Sequence, residues 1–200
     1  MSVKVAITGG IGSGKSTVLS LLREAGYPVF SCDKVYREIM SETSYIMEIE
    51  KHFPFAVKSG CIDRKALGSA VFNNSKQREK LDAISHPLIM QRIFERMNTQ
   101  AEMLVFAEVP LLYEGKLQSK FDAVIVVLRD VSLRIQAVKE RDGLTDAEAR
   151  ERILAQFDYE DRSALDKVKT EKTFYLTNDS SLNDLKHNLK KIIARLNQIP

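Results

Sequence analysis

The sequence predicts a three-layer α/β/α protein on a five-stranded parallel sheet, and three observations lead there. First, Met103–Val109 and Phe121–Leu128 are continuous apolar runs, the pattern of strands buried on both faces. Second, amphipathic helical stretches alternate with the strand candidates over much of the chain, as βαβ units require. Third, the first strand runs into a glycine-rich turn that opens a helix. The 200 residues, 44% hydrophobic and 28% charged, suit one soluble core with insertions better than two independent domains.

Val3, Val5 and Ile7 form the first strand, which leads into Gly9-Gly10-Ile11-Gly12-Ser13-Gly14-Lys15-Ser16-Thr17. Gly9, four residues, then Gly14-Lys15-Ser16 match the phosphate-binding pattern G-x-x-x-x-G-K-[ST] between strand and helix. Glycines let successive backbone N–H groups turn toward an anion without a Cβ penalty. Lys15 brings a point charge to the outer phosphates, and the Ser16 hydroxyl is placed to ligate Mg²⁺. The positive end of the helix that starts near Lys15 favours the same anion. The loop therefore makes this a P-loop fold.

Val18, Leu21, Leu22 and Ala25 recur at helical spacing, with Gly26 as the stop. Tyr27–Cys32 reads as a second strand, parallel to the first. Asp33 sits at its carboxyl end, where ligands bind in open α/β sheets. Asp33–Met40 reads as a helix with Asp33 and Arg37 on one face. Two roles for Asp33 stay open, a helix N-cap and a general base, and they are compatible. Residues 41–102 break the β-α alternation and read as mainly helical. Asn74-Ser75-Lys76-Gln77 is a capping-box candidate, and Pro87 fits the first turn of another helix, striped by Ile89, Ile93, Phe94 and Met97. That insertion is too long for a connection and reads as a subdomain covering a second substrate.

Glu108 ends the next strand, either near a metal or simply solvated, and Pro110–Glu114 is an apolar loop on the ligand side. After the fourth strand, Ser132 can cap a helix ending at Arg141-Asp142-Gly143. Thr145–Glu148 is a capping box for another helix, carried by Ile153, Leu154 and Phe157. This pair bears several arginines, among them Arg134, Arg141, Arg150 and Arg152. A helical hairpin so charged fits a lid that neutralises phosphate in the transition state, with Arg141 the favoured clamp. Thr173–Asn178 is the fifth strand, and Leu182, Leu185, Leu189, Ile192 and Leu196 mark a closing helix. The expected division is 1–33, 103–131 and 172–200 as nucleotide-binding core, 34–102 as helical acceptor domain, and 132–171 as lid.

A net charge of +3 suits a small anionic ligand and lacks the basic stripe of a nucleic-acid binder. Cys32 and Cys61 lie in no metal-ligand or C-x-x-C spacing, as expected of free thiols in a reducing compartment. No apolar run reaches about 18 residues, so no membrane span is expected and a cytoplasmic location is. A GTP-driven switch is disfavoured, since neither Asn-Lys-x-Asp nor an Asp-x-x-Gly after the third strand occurs. A small-molecule kinase and a nucleotide kinase remain.

The ordered set of Thr8–Thr17, Asp33-x-x-x-Arg37, Asp63-Arg64 with Leu67, Ile84-Ser85-His86-Pro87-Leu88-Ile89, Val109-Pro110-Leu111-Leu112-x-Glu114 and Arg141-Asp142-Gly143 resembles the dephospho-coenzyme A kinases over nearly the whole chain. The resemblance implies ATP-dependent phosphorylation of the ribose 3′-hydroxyl of dephospho-coenzyme A, the last step of coenzyme A synthesis. A nucleoside monophosphate kinase or another small-molecule P-loop kinase is the alternative. By resemblance, Gly9 to Thr17 hold the ATP phosphates and Asp33 takes the proton of the attacking hydroxyl. Arg37, Arg64, His86 and Leu111 serve the acceptor, Arg141 the lid, Asn178 the adenine side, and Ser16 with Glu108 the Mg²⁺. A monomer or weak homo-oligomer is expected. The chain departs from the family pattern in three places. Ser31-Cys32-Asp33 stands where Asp-Ala-Asp is usual, leaving Asp33 as the base. Ala137 replaces an arginine for which Arg134 is the candidate substitute. Asp161 replaces a lysine, and the stretch from Arg162 to Asn178 is longer.

Overall fold

The computed structural model describes residues 2–72 and 74–199. The chain divides into two compact units, Met1–Phe30 with Met97–Pro200, and Ser31–Arg96.

The first unit is built on a five-stranded parallel sheet. Its strands are β1 (Val3–Thr8), β2 (Val29–Ser31), β5 (Leu104–Glu108), β6 (Ala123–Leu128) and β7 (Thr173–Thr177), in the order β2-β5-β1-β6-β7. β1 is central, with Val5 opposite both Phe106 and Ala123. One face is covered by α1 (Lys15–Glu24) and α9 (Leu182–Leu196), whose Val18, Leu22, Leu185, Leu189 and Leu196 pack against Val5, Ile7, Phe106 and Ile125. Each such large side chain contributes about 1.5–3 kcal/mol by leaving water. α9 starts in a full capping box between Ser181 and Asp184.

Between β6 and β7 lie α6 (Val131–Asp142), α7 (Asp146–Leu154) and α8 (Arg162–Val168). α6 ends at Gly143 with φ 67°, and α7 opens on the expected Thr145/Glu148 capping box. Two local expectations change here. The cap of α6 is Asp130, whose carboxylate accepts the Ser132 N–H and hydroxyl, rather than Ser132 itself. α6 begins at Val131, so Ser132 is already its second residue and the N-cap position falls on Asp130, whose carboxylate accepts charge-assisted bonds. Leu154 is 82% exposed, whereas Ile153 packs with Ile135, Val138 and Ala149. The α6–α7 pair is too narrow to cover both.

The second unit holds α2 (Cys32–Ile39), α3 (Thr43–His52), a 3-10 turn at Pro54–Ala56, a hairpin of β3 (Val57–Lys58) and β4 (Cys61–Ile62), α4 (Arg64–Phe72) and α5 (Ser75–Asn98). The hairpin is unforeseen. Ser59 (φ 49°) and Gly60 (φ 73°) both turn left-handed, as a two-residue I′ loop demands. Pro87 does not start a helix but lies inside α5. The apolar stripe on either side of it, with Leu81, Ile89 and Ile93 buried, outweighs the one backbone bond that proline removes. The Tyr45 hydroxyl and Ser85 Oγ are 2.7 Å apart, and Ser85 Oγ also donates to the Leu81 carbonyl at 2.8 Å. Asn74 accepts the Gln77 N–H at 3.1 Å, the cap half of the expected box, while Gln77 Oε1 has no partner among the described residues. Cys32 is buried and Cys61 exposed, and neither is in a disulfide. Among the described residues no helix is long and apolar enough to cross a membrane.

Candidate active site

β1 delivers the chain to the loop at Thr8, and α1 leaves it at Lys15. Between them Gly9, Gly12 and Gly14 take φ of 146°, 77° and 92°, values that L side chains rarely adopt. The helix start carries no side-chain cap. First-turn N–H groups at such a start are available to an anion, and the helix dipole points the same way. The Lys15 ammonium lies over the loop, donating to the Gly9 and Gly10 carbonyls at 2.7 and 3.0 Å. Ser16 and Thr17, the next residues, are exposed at the helix start.

The loop is also held from outside. Asn178, just past β7, donates from its amide to the Ser13 carbonyl at 3.0 Å. A Cβ on Gly14 would fall 2.1 Å from that same nitrogen. In this structure Asn178 therefore braces the loop. Arg129 donates to the Gly12 carbonyl at 3.2 Å, and the hydroxyls of Tyr159 and Thr8 are 3.0 Å apart. Burial raises the Tyr159 pKa well above its ordinary value, so the phenol stays protonated. A cavity of about 210 Å³ opens beside the loop, lined by Gly10, Ser13, Arg134, Tyr159 and Glu160 among others. Ser13 Oγ, in a residue 1% exposed, has no hydrogen-bond partner among the described residues.

Glu108 ends β5 beside β1, opposite Ile7, two residues from the start of the loop. Among the described residues no cluster of three or more His, Cys, Asp or Glu could hold a metal alone. One hydroxyl and one carboxylate, all hard oxygen donors, fit a Mg²⁺ that takes most of its ligands from phosphate and water.

The other expected residues distribute as follows. Arg141 is exposed and engages Asp142 through two bonds, Nε at 2.8 Å and Nη2 at 2.9 Å, and Arg152 also reaches Asp142 at 2.8 Å. Besides Arg129, the arginine found against the phosphate loop is Arg134, 3% exposed, whose Nε donates to the Ile11 carbonyl at 3.0 Å. The sequence offers it as the candidate substitute for the arginine that Ala137 replaces; a further signal is the helical spacing of 134, 135 and 138, which puts a charge on the apolar side of α6. Leu111 is 40% exposed on the loop after β5.

Within the second unit, Asp33 is the second residue of α2, and Ser31 occupies the N-cap position. The carboxylate of Asp33 is exposed. Arg37 and Arg64 line one cavity of about 230 Å³, walled by Tyr36, Met40, Leu67 and Val71. Asp63 accepts the Ala66 N–H at 3.0 Å and so starts α4 at Arg64, which fixes that side chain's place on the cavity wall. His86 does not line it, and pairs instead with Asp82 at 3.5 Å.

A central parallel strand that feeds a glycine-rich anion loop, with an arginine-bearing helix pair against it, defines a P-loop kinase core. The dephospho-CoA kinase family model matches residues 3–184, and the chain belongs to that family. A curated dephospho-CoA kinase from Geobacillus kaustophilus is 39% identical over 163 residues, covering 78% of this chain and 81% of that protein. One from Thermus thermophilus is 34% identical over 192 residues, covering 96% and 91%. A solved dephospho-CoA kinase from Campylobacter jejuni superposes with a TM-score of 0.70 at 30% identity, covering 99% of this chain and 98% of that one.

Proposed function

We propose that this chain transfers the γ-phosphoryl group of ATP to the ribose 3′-hydroxyl of dephospho-coenzyme A, giving coenzyme A and ADP. The observation that supports it most is the acceptor-side cavity of this family member, where Arg37 and Arg64 share walls with Tyr36, Met40, Leu67 and Val71. Two guanidinium groups suit a diphosphate, and the apolar walls suit a long weakly polar arm. A compact nucleotide monophosphate would leave those walls unused.

In this reading Gly9 to Thr17 hold the ATP phosphates, and Lys15 exchanges its two carbonyl bonds for the outer phosphates. Phosphoryl transfer asks little covalent chemistry of a protein, so positioning and charge neutralisation dominate. An alcohol keeps its proton until late in the reaction, which gives Asp33, exposed just past β2, a use as general base. Ser16 and Glu108 would hold Mg²⁺, which supplies charge neutralisation at the phosphates when bound. Residues 34–102 receive the acceptor and 132–171 form the lid, with Arg141 released from Asp142 to meet phosphate. Asn178 serves the adenine side through the loop it braces, and Leu111 and His86 contact the acceptor. The enzyme acts in the cytoplasm, as a monomer or weak homo-oligomer, without nucleic-acid or membrane partners.

The test is ADP release with MgATP and a panel of acceptors at equal concentration. Dephospho-coenzyme A should be turned over at least about tenfold faster than AMP, CMP or UMP, a difference of about 1.4 kcal/mol in the barrier. Equal turnover of AMP or CMP would make it a nucleotide kinase.

A further inference from the structure

Residue Ile11, at the tip of the phosphate loop, is held by the α6–α7 region at three points. Its N–H donates to Gln156 Oε1 at 2.6 Å, and its carbonyl accepts from Arg134 Nε at 3.0 Å. Its side chain packs against the cluster of Ile135, Val138, Ala149 and Ile153. Arg134 is the centre of this contact. Its Nη1 donates to Glu160 at 2.8 Å, and a Cβ on Gly10 would lie 2.3 Å from Nη2 and 2.7 Å from Cζ. The guanidinium therefore lies directly against the Gly10 backbone. A Cβ on Gly12 would in turn meet the Arg134 carbonyl at 2.7 Å. Gly10 and Gly12, at variable positions of the motif, have no room for a Cβ because this arginine fills the space beside them.

Such a buried cation is a poor choice for stability alone. Arg134 is 3% exposed while its partner Glu160 is 48% exposed, so desolvation is nearly complete and the compensating charge is half in water. Burial lowers the Arg134 pKa from its ordinary value, with Glu160 opposing the shift. Replacing a buried ion pair by apolar residues of similar volume is often neutral or stabilising. The charge and the fork geometry thus point to something other than packing, and Arg134 shares the cavity beside the loop with the unpartnered Ser13 Oγ.

We propose that Arg134 is a positioning residue for phosphoryl transfer: it fastens Gly10–Gly12 to α6, so that the helix pair bearing Arg141 and the loop holding the nucleotide phosphates keep one fixed geometry. This rests on the ATP-dependent kinase reading. A misplacement of about 1 Å at a reacting group can cost on the order of 10² in rate, which sets the expected effect.

The experiment compares Arg134→Met, Arg134→Lys, Glu160→Gln and the double variant Arg134→Met/Glu160→Gln in the full chain. Melting temperature, kcat, KM for ATP and dephospho-coenzyme A, and ATP affinity by titration calorimetry are measured for each. Arg134→Met should melt within a few degrees of wild type, lose roughly 10²-fold in kcat, and keep its acceptor KM. Arg134→Lys should recover part of the loss, since an ammonium reaches Ile11 or Glu160 but lacks the fork for both. Glu160→Gln should lower kcat by a smaller factor, and that effect should vanish in the Arg134→Met background. Should Arg134→Met fail to fold, Arg134→Lys and Glu160→Gln carry the test, and both retaining wild-type kcat would overturn the proposal. A folded Arg134→Met with near wild-type kcat and ATP affinity overturns it equally, as does a kcat loss that only follows loss of the fold. If wild type binds ATP but ignores dephospho-coenzyme A, the kinase reading has failed. The calorimetric comparison then still decides on Arg134, with ATP affinity in Arg134→Met expected to be about tenfold weaker.

Discussion

Gly9→Ala should destabilise the protein chiefly through a backbone contact that cannot move away, the Ser13 Oγ at 3.0 Å being a side chain that can. The added Cβ would lie 2.3 Å from the Val127 carbonyl oxygen and 3.2 Å from its carbon, at a φ of 146°. Carbon–oxygen contacts settle near about 3.3 Å, so β1 and β6 would have to separate by about 1 Å. Val127 is paired with Leu176 of β7, and Thr8 with Val126, so the strain enters the centre of the sheet. The positive φ costs about 1–2 kcal/mol and the overpacking about 1–3 kcal/mol. A total of about 3 kcal/mol corresponds to about 6–12 °C in melting temperature for a chain of this size. Gly26→Ala is the matched control: φ is 86° but nothing lies within 4 Å of its Cβ, leaving about 1 kcal/mol and about 2–4 °C. Differential scanning fluorimetry reads both. Equal shifts for the two variants would refute the reasoning, because Gly26 has no counterpart to the Val127 carbonyl at 2.3 Å or the Ser13 Oγ at 3.0 Å.

Lys15→Ala should stay folded, because its bonds to the Gly9 and Gly10 carbonyls are within the loop itself, while turnover falls by at least about 10³; a folded variant with normal turnover contradicts the loop assignment. Asp33→Asn should lower kcat by roughly 10² or more with little change in melting temperature, since Ser31 holds the N-cap position of α2. A drop in melting temperature without a drop in rate would make Asp33 a structural residue. Acid should destabilise the chain. Asp130 is held below its ordinary 3.8 by bonds from the Ser132 hydroxyl and N–H, Glu148 below 4.5 by Thr145, and Asp142 below 3.8 by Arg141. Each binds fewer protons folded than unfolded, so its contribution is complete above the ordinary value and is lost as pH falls through the lowered one. The urea midpoint should therefore be flat above about pH 5 and decline toward pH 3; a flat profile throughout would show that these two caps and the Asp142 ion pair contribute nothing.

The elements legible in the sequence are those with a local cause. The apolar runs of β5 and β6, the Thr145/Glu148 box and the glycine after α6 state their own structure. The phosphate loop is legible for the same reason, since its glycines and Lys15 lie within a few residues. Pro87 misleads because propensity acts on one turn while tertiary packing acts along all of α5. The β3–β4 hairpin left only a Ser-Gly turn signal between strands of two residues each, too short to show alternation. Arg134 and Gln156 reach the loop across 123 and 145 residues of chain. Contact over such separations leaves at most an indirect trace, here a charge on the apolar side of α6. Arg37 and Arg64 meet in one cavity because Asp63 starts α4 where it does, a local cap with a distant consequence.

Phosphorus NMR of the product formed from MgATP and dephospho-coenzyme A tests the proposed reaction most directly. The expected spectrum gains a ribose 3′-phosphate monoester in step with ADP, and the product comigrates with coenzyme A. ADP formed without that monoester, or a phosphate carried on any other group, would contradict the reaction assigned to this chain.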